Sequence, residues 1–170
     1  MTTEELRAWL LGRLPEDWFV GPPRVTVDSD EILIVGQLSP PDLSSDAEPA
    51  SVRAAETGRI SRFRADTREN RISIAQEGRF RFGRTISWGV EVGASAQNFT
   101  MMSVPVMTRL RQSERTVLDT LVDSGVARSR SDALAWCVKL VASNADEWLL
   151  QLRQAMESVE TIRQQGPTVA

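Results

Sequence analysis

The stretch GVARSRSDALAW, Gly125 to Trp136, sets Arg128 and Arg130 among the oxygens of Ser129, Ser131 and Asp132, just where an apolar run resumes. Ser129 and Asp132 have the Ser-x-x-Asp spacing of a variant capping box, whose side chains satisfy backbone N–H groups that a helix leaves unpaired at its start. A capped helix start also favours a phosphate, through its remaining amides and the helix dipole. Arg128 and Arg130 add charge of the right sign. The chemistry on offer is binding of an anion, not bond-making.

A second set of basic residues lies upstream. Arg64, Arg68, Arg71 and Arg79 recur at spacings of four, three and eight, which puts them along one side of a helix. None has an acidic residue three or four positions away, whereas Arg62 and Arg81 have Asp66 and Glu77 at that spacing. Three uses are open to such a stripe: a solvated face, a face covered by the acidic N-terminal segment, or a phosphate-backbone surface for RNA or DNA.

Other chemistry is poorly provided for. There is no histidine and a single cysteine, Cys137, so neither an internal disulfide nor a zinc site is expected, and general acid–base work lacks its commonest residue. No Walker-type loop, HExxH or nucleophile elbow occurs. The expectation is a protein that is not an enzyme, with no cofactor, no metal and no catalytic residues. Nineteen of the twenty basic residues are arginine, with Lys139 the exception, which a GC-rich coding bias explains without any function.

The net charge of −3 conceals a local asymmetry. Residues 1–50 hold three arginines against ten acids, and residues 51–85 hold nine arginines against four. A mildly acidic total therefore leaves a local basic patch free to meet nucleic acid. No run of 18 apolar residues occurs and the acidic N-terminus does not read as a signal peptide, so a cytoplasmic protein without membrane contact is expected.

The elements that must carry these residues read as α+β. An amphipathic helix is predicted near residues 3–14, with Leu6, Trp9, Leu10 and Leu14 on one face. A hairpin follows, with strands at Val25–Val27 and Ile32–Leu38 joined at Asp28-Ser29-Asp30. Residues 39–50 read as a loop or linker, with three prolines and three serines. Residues 52–82 are helical, with Ile60, Phe63, Thr67 and Ile74 on one face. A half-buried strand follows, Ile86, Trp88, Val90 and Val92 alternating with Thr85, Ser87, Gly89 and Glu91. This αββαβ domain is placed at residues 1–95.

A second region begins near Gln97. It opens with the extended FTMMSVPVMTRL, continues as a helix capped by Ser113 and stopped at Gly125, and adds the helix that opens at Ser129. A further helix at 144–165 either continues the last or restarts at Asn144, with Glu147 completing a capping box. Its stripe of Trp148, Leu149, Leu152, Met156 and Val159 resembles a short coiled-coil seam.

Strand, short helix, glycine turn and capped second helix resemble the ribbon-helix-helix family of Arc- and MetJ-type repressors. The likeness rests on MTRL (Met107–Leu110), VLDTLVDSG (Val117–Gly125) and RSRSDALAWCVKLV (Arg128–Val141), and covers residues 97–142. It implies an obligate homodimer in which each chain gives one strand to a two-stranded ribbon and four helices close a shared core. The implied core is Val104, Val106, Leu110, Leu118, Leu121, Leu134, Val138 and Val141. In DNA-binding members the ribbon enters the major groove and the second helix's start clamps a phosphate. Carried over, Met107 and Arg109 face outward on the ribbon, Arg111 reaches phosphate, and Arg128, Ser129, Arg130 and Ser131 form the clamp. Pro105 and Met107 cannot hydrogen-bond base edges, which leaves Arg109 as the reader and makes pure dimerisation a rival use.

The order helix, two strands, helical stretch, strand also resembles a type II KH domain, although the Gly-x-x-Gly clamp of that family is absent near residues 50–60. The sequence thus predicts a homodimeric DNA-binding regulator. The alternative is a non-catalytic assembly or adaptor protein that only oligomerises through this fold, its N-terminal domain engaging a protein or RNA partner. Tetramers are a further possibility, through the C-terminal stripe.

Overall fold

The computed structural model describes residues 3–44, 46–100 and 102–166. Among these it is mixed α+β, with six helices and one four-stranded sheet. The chain divides into two compact units, residues 1–105 and 106–170.

The first unit opens with α1 (Thr3–Arg13), then a hairpin of β1 (Arg24–Val27) and β2 (Glu31–Gln37). The Asp28 carboxylate closes the hairpin by accepting the N–H groups of Asp30 and Glu31 at 2.8 and 2.7 Å. The predicted loop ends where Pro49 starts α2 (Pro49–Asp66), a position where the missing N–H costs nothing. α3 (Arg68–Phe82) follows, ended by Gly83 in the left-handed conformation. β3 (Thr85–Val92) runs parallel to β2, and β4 (Ser95–Asn98) returns antiparallel on its far side, giving the order β1-β2-β3-β4.

Two corrections to the αββαβ reading follow. The helical stretch is two helices, broken at Thr67, whose N–H and hydroxyl both turn back to the Phe63 carbonyl. A fourth strand exists, so the unit is αββααββ and the boundary drawn at 95–97 cuts through β4.

The core lies on the sheet face that carries Ile32, Ile34, Ile86, Trp88, Val90 and Val92. Leu6 and Leu10 of α1, Ile60 and Phe63 of α2, and Ile74 of α3 pack against it, with Trp18 crossing edge-on to Trp88 and Phe63. β3 is not half-buried as its alternation predicts. Ser87 and Gly89 are buried on the other face too, where Asn98 lies over Gly89 and Arg24 reaches across β2 to Glu91.

The second unit contains α4 (Gln112–Asp123), α5 (Arg130–Asn144) and α6 (Asp146–Gln165). Residues 102–111 form no helix and belong to no ladder, and Arg111 at their end is extended. The cap of α4 is Arg111 rather than Ser113, because the Glu114 carboxylate accepts the Arg111 N–H. α5 and α6 are separate helices with the break at Ala145. Asn144 does not cap α6; its amide donates to the Leu140 carbonyl at 2.7 Å, back along α5.

Candidate nucleic-acid interface

The α4–α5 turn is built from three local devices. Gly125 takes a φ of 78°, which a side chain would resist. Ala127 sends its N–H to the Leu121 carbonyl at 3.1 Å and is itself buried, pinning the turn to the core. Ser129 is extended, and its hydroxyl accepts the Asp132 N–H at 3.2 Å while its carbonyl accepts the Ala133 N–H at 2.8 Å. The reciprocal bond of the capping box is displaced by one residue: the Asp132 carboxylate accepts the N–H of Arg128, at 3.0 Å. Two amides at the start of α5 remain, those of Arg130 and Ser131, beside the Ser131 hydroxyl.

Arg130 itself is held elsewhere. Its guanidinium makes a two-pronged pair with Asp119 of α4, Nε at 2.6 Å and a terminal nitrogen at 2.8 Å. That contact keeps the Asp119 carboxyl below the usual aspartate range and raises the Arg130 guanidinium. Both side chains stand in solvent, so the pair adds little to stability. Its effect is on where the charge points. Asp119 stands out in the sequence only as an acid near Arg111 and Arg115; its pairing with Arg130, eleven positions on, falls in no helical spacing that would flag it.

Arg128, Ser129 and Ser131 are exposed, as are Arg109 and Arg111, while the Arg115 guanidinium bonds the Leu110 carbonyl at 2.8 Å. Met107 is 97% and Val106 83% exposed. The eight residues expected to form a dimer core divide evenly. Leu110, Leu118, Leu121 and Leu134 gather around the buried Ala127 and Ala133, whereas Val104, Val106, Val138 and Val141 lie in the open. Only Leu118, Ala127 and Ala133 are buried in this cluster, too few to hold a unit of this size together by itself.

The upstream arginine stripe is not the continuous surface that its spacing predicts. Arg71 is 7% exposed. It bonds the Thr67 hydroxyl at 3.0 Å and the Arg64 carbonyl at 2.7 Å, and its guanidinium lies 4.7 Å from the centre of the Phe99 ring. Burial lowers its pKa, and the charges of Arg64 and Arg68 lower it further. Arg68 pairs with Glu69, one position on, and Arg64 also lies over Phe99. Arg64, Arg68 and Arg79 are exposed. The expected pairing of Arg81 with Glu77 is replaced as well: Glu77 takes Arg13 of α1 at 2.7 Å, and Arg81 takes Glu5.

Among the described residues no group of acidic, cysteine and histidine side chains could hold a metal, and no helix is long and apolar enough to cross a membrane. Cys137 is a partly covered free thiol against the α4–α5 cluster.

Comparison with known proteins places both units. Residues 4–98 match the family described as Rv1265-like protein, N-terminal domain, and residues 111–163 match the Mb1296 C-terminal domain. The uncharacterized proteins Mb1296 of Mycobacterium bovis and Rv1265 of Mycobacterium tuberculosis are each 58% identical to this chain over 159 residues, 94% of it and 69% of their own length. No solved structure matches. With the first unit matched almost end to end and the similarity running on through the second, the chain belongs to the Rv1265-like protein family.

Proposed function

We propose that this chain is a cytoplasmic, non-catalytic, homodimeric DNA-binding transcriptional regulator of ribbon-helix-helix type. The observation that carries the reading is the incompleteness of residues 102–144. A segment without helix or ladder precedes two helices joined by a left-handed glycine and a serine cap, around three buried residues. A second copy supplies what is missing. Its segment pairs with this one, and Val104, Val106, Val138 and Val141 find cover in the shared core.

On such a dimer the start of α5 offers a phosphate the amides of Arg130 and Ser131, the Ser131 hydroxyl and the Arg128 guanidinium. Arg109 and Arg111 stand on the same chain segment and add phosphate or base contacts. Arg130 is held by Asp119 and contributes less. With Met107 outward beside it, Arg109 is the ribbon's one reader of base edges, so affinity comes mainly from the DNA backbone and sequence preference is shallow.

The alternative is an assembly or adaptor protein that uses the same dimer without DNA. The capture of Arg130 by Asp119 and the apolar outward Met107 favour it. In that case the N-terminal unit meets the protein or RNA partner, with Arg64, Arg68 and Arg79 as the exposed arginines of the stripe.

One experiment separates the two. The chain is sized by sedimentation and titrated with a mixed-sequence DNA duplex from about 50 to 200 mM salt, where six or more phosphate contacts cost a thousandfold or more in affinity. A dimer, or a pair of dimers, with steep salt dependence, weakened in the Arg109→Ala and Arg128→Ala variants, supports the regulator. An oligomer that ignores duplex at low salt supports the adaptor, and a stable monomer defeats both.

A further inference from the structure

Among its described side chains α6 has none buried. Trp148, Leu152, Met156, Val159 and Ile162 are all exposed, with Leu149 partly covered. These residues and Ala155 form three adjacent columns down one side of twenty helical residues, while Gln151, Gln154, Ser158 and Thr161 lie outside it, with the exposed Leu150 on the far side. The apolar side amounts to roughly 500 Å² per chain, somewhat below one partner's share of a standard stable interface. A helix of this length with one apolar face draws its stability from packing that face, and that face is left exposed here.

We propose that α6 pairs antiparallel with the α6 of another copy, through an interface separate from the ribbon, so that dimers join into tetramers. The word dimers rests on the reading above; the helix pairing does not.

The arrangement of α6 selects a second copy as the occupant. Run antiparallel about a twofold axis near residues 154–155, the stripe matches itself. Leu149 meets Val159, Leu152 meets Met156, and Trp148 meets Ile162. Ala155 meets its own copy at the centre, where a small side chain lets the backbones approach. In this antiparallel arrangement the two helix dipoles oppose. A parallel pair stacks Arg163 on Arg163 and Trp148 on Trp148, and sets like charges together at the acidic end. Opposed dipoles and the self-matching stripe favour the antiparallel direction.

The test uses the full chain in three forms, each sized by sedimentation equilibrium. The parent protein is expected as a tetramer. Leu152→Glu with Met156→Glu should halve the mass, and Val106→Asp should halve it by the other interface. A parent dimer that becomes monomeric with the α6 changes but not with Val106→Asp retains the helix pairing and defeats the ribbon. Unchanged mass in the α6 variant defeats the helix pairing.

Direction is read by cross-linking in a Cys137→Ser background. Leu149→Cys mixed with Val159→Cys should form a disulfide between the two chains, and neither alone should. Self-cross-linking of either single variant, or no bond in the mixture, overturns the antiparallel proposal. Circular dichroism of each variant guards against loss of fold, and the cysteine pair gives a result without any charge insertion.

Discussion

If Asp119 holds Arg130 away from DNA, removing its charge while keeping its shape should release one more phosphate contact. In Asp119→Asn the two-pronged pair, at 2.6 and 2.8 Å, loses its ionic acceptor and Arg130 becomes free to turn toward the start of α5. Each phosphate neutralised on duplex DNA adds about 0.9 to the slope of log affinity against log salt. Over a fourfold rise, from about 50 to 200 mM, one extra contact therefore costs about 3.5-fold more affinity than the parent protein loses. The assay is fluorescence anisotropy with a labelled duplex at four or five salt concentrations, with the variant's mass checked first. Arg130→Gln should leave the slope where it is, because that guanidinium is already spent, and Arg128→Gln should lower it by about 0.9. The reasoning fails if Asp119→Asn leaves the slope unchanged, or if Arg130→Gln costs a full contact.

The buried Arg71 should behave as a structural residue. Arg71→Met gives up bonds to Thr67 and Arg64 and is expected to destabilise the N-terminal unit by about 2–3 kcal/mol in urea, whereas Arg79→Met should change little. Gly36→Ala places a Cβ only 2.0 Å from the Phe19 ring, so the ring must move, at about 1–3 kcal/mol of overpacking by the same measurement. Glu56 is buried and accepts the Ser95 hydroxyl at 2.6 Å and, more weakly, the Ala94 N–H; Glu56→Ala should cost about 1–3 kcal/mol and loosen β4, visible as faster amide exchange at residues 95–98. The Asp28 carboxyl lies below its ordinary 3.8 because the N–H groups of Asp30 and Glu31 bond its ionised form. Its contribution is full above the unfolded value and fades as pH falls through the lower folded one, so an acid titration of stability should flatten on that side in Asp28→Ala.

What could be read from the chain beforehand was whatever repeats locally. β3 announced itself through Ile86, Trp88, Val90 and Val92, the hairpin through Asp28-Ser29-Asp30, and the start of α5 through Ser129 and Asp132. Each depends on neighbours within a few residues. β4 was invisible because Ser95-Ala-Gln-Asn98 is short and polar, a strand only because β3 offers it a ladder. The break between α2 and α3 hid for a similar reason, since Thr67 satisfies its own buried hydroxyl against Phe63 and leaves the apolar spacing almost undisturbed. The charged residues were the least legible. Arg64, Arg68, Arg71 and Arg79 share a spacing, yet Phe99, from the far end of the unit, takes Arg71 out of solvent, and Asp119 turns Arg130 aside from eleven residues away. Spacing tells which side of a helix a charge is on; whether that charge is still available depends on what the fold brings to it. The C-terminal third poses the opposite case. There the apolar periodicity was plain, and the single chain leaves much of it uncovered: Val138 and Val141 on α5, the valines of the segment before α4, and nearly the whole stripe of α6. On the proposed dimer that uncovered pattern becomes an interior shared between copies, and it divides at Ala145 into two parts that one twofold contact need not close together.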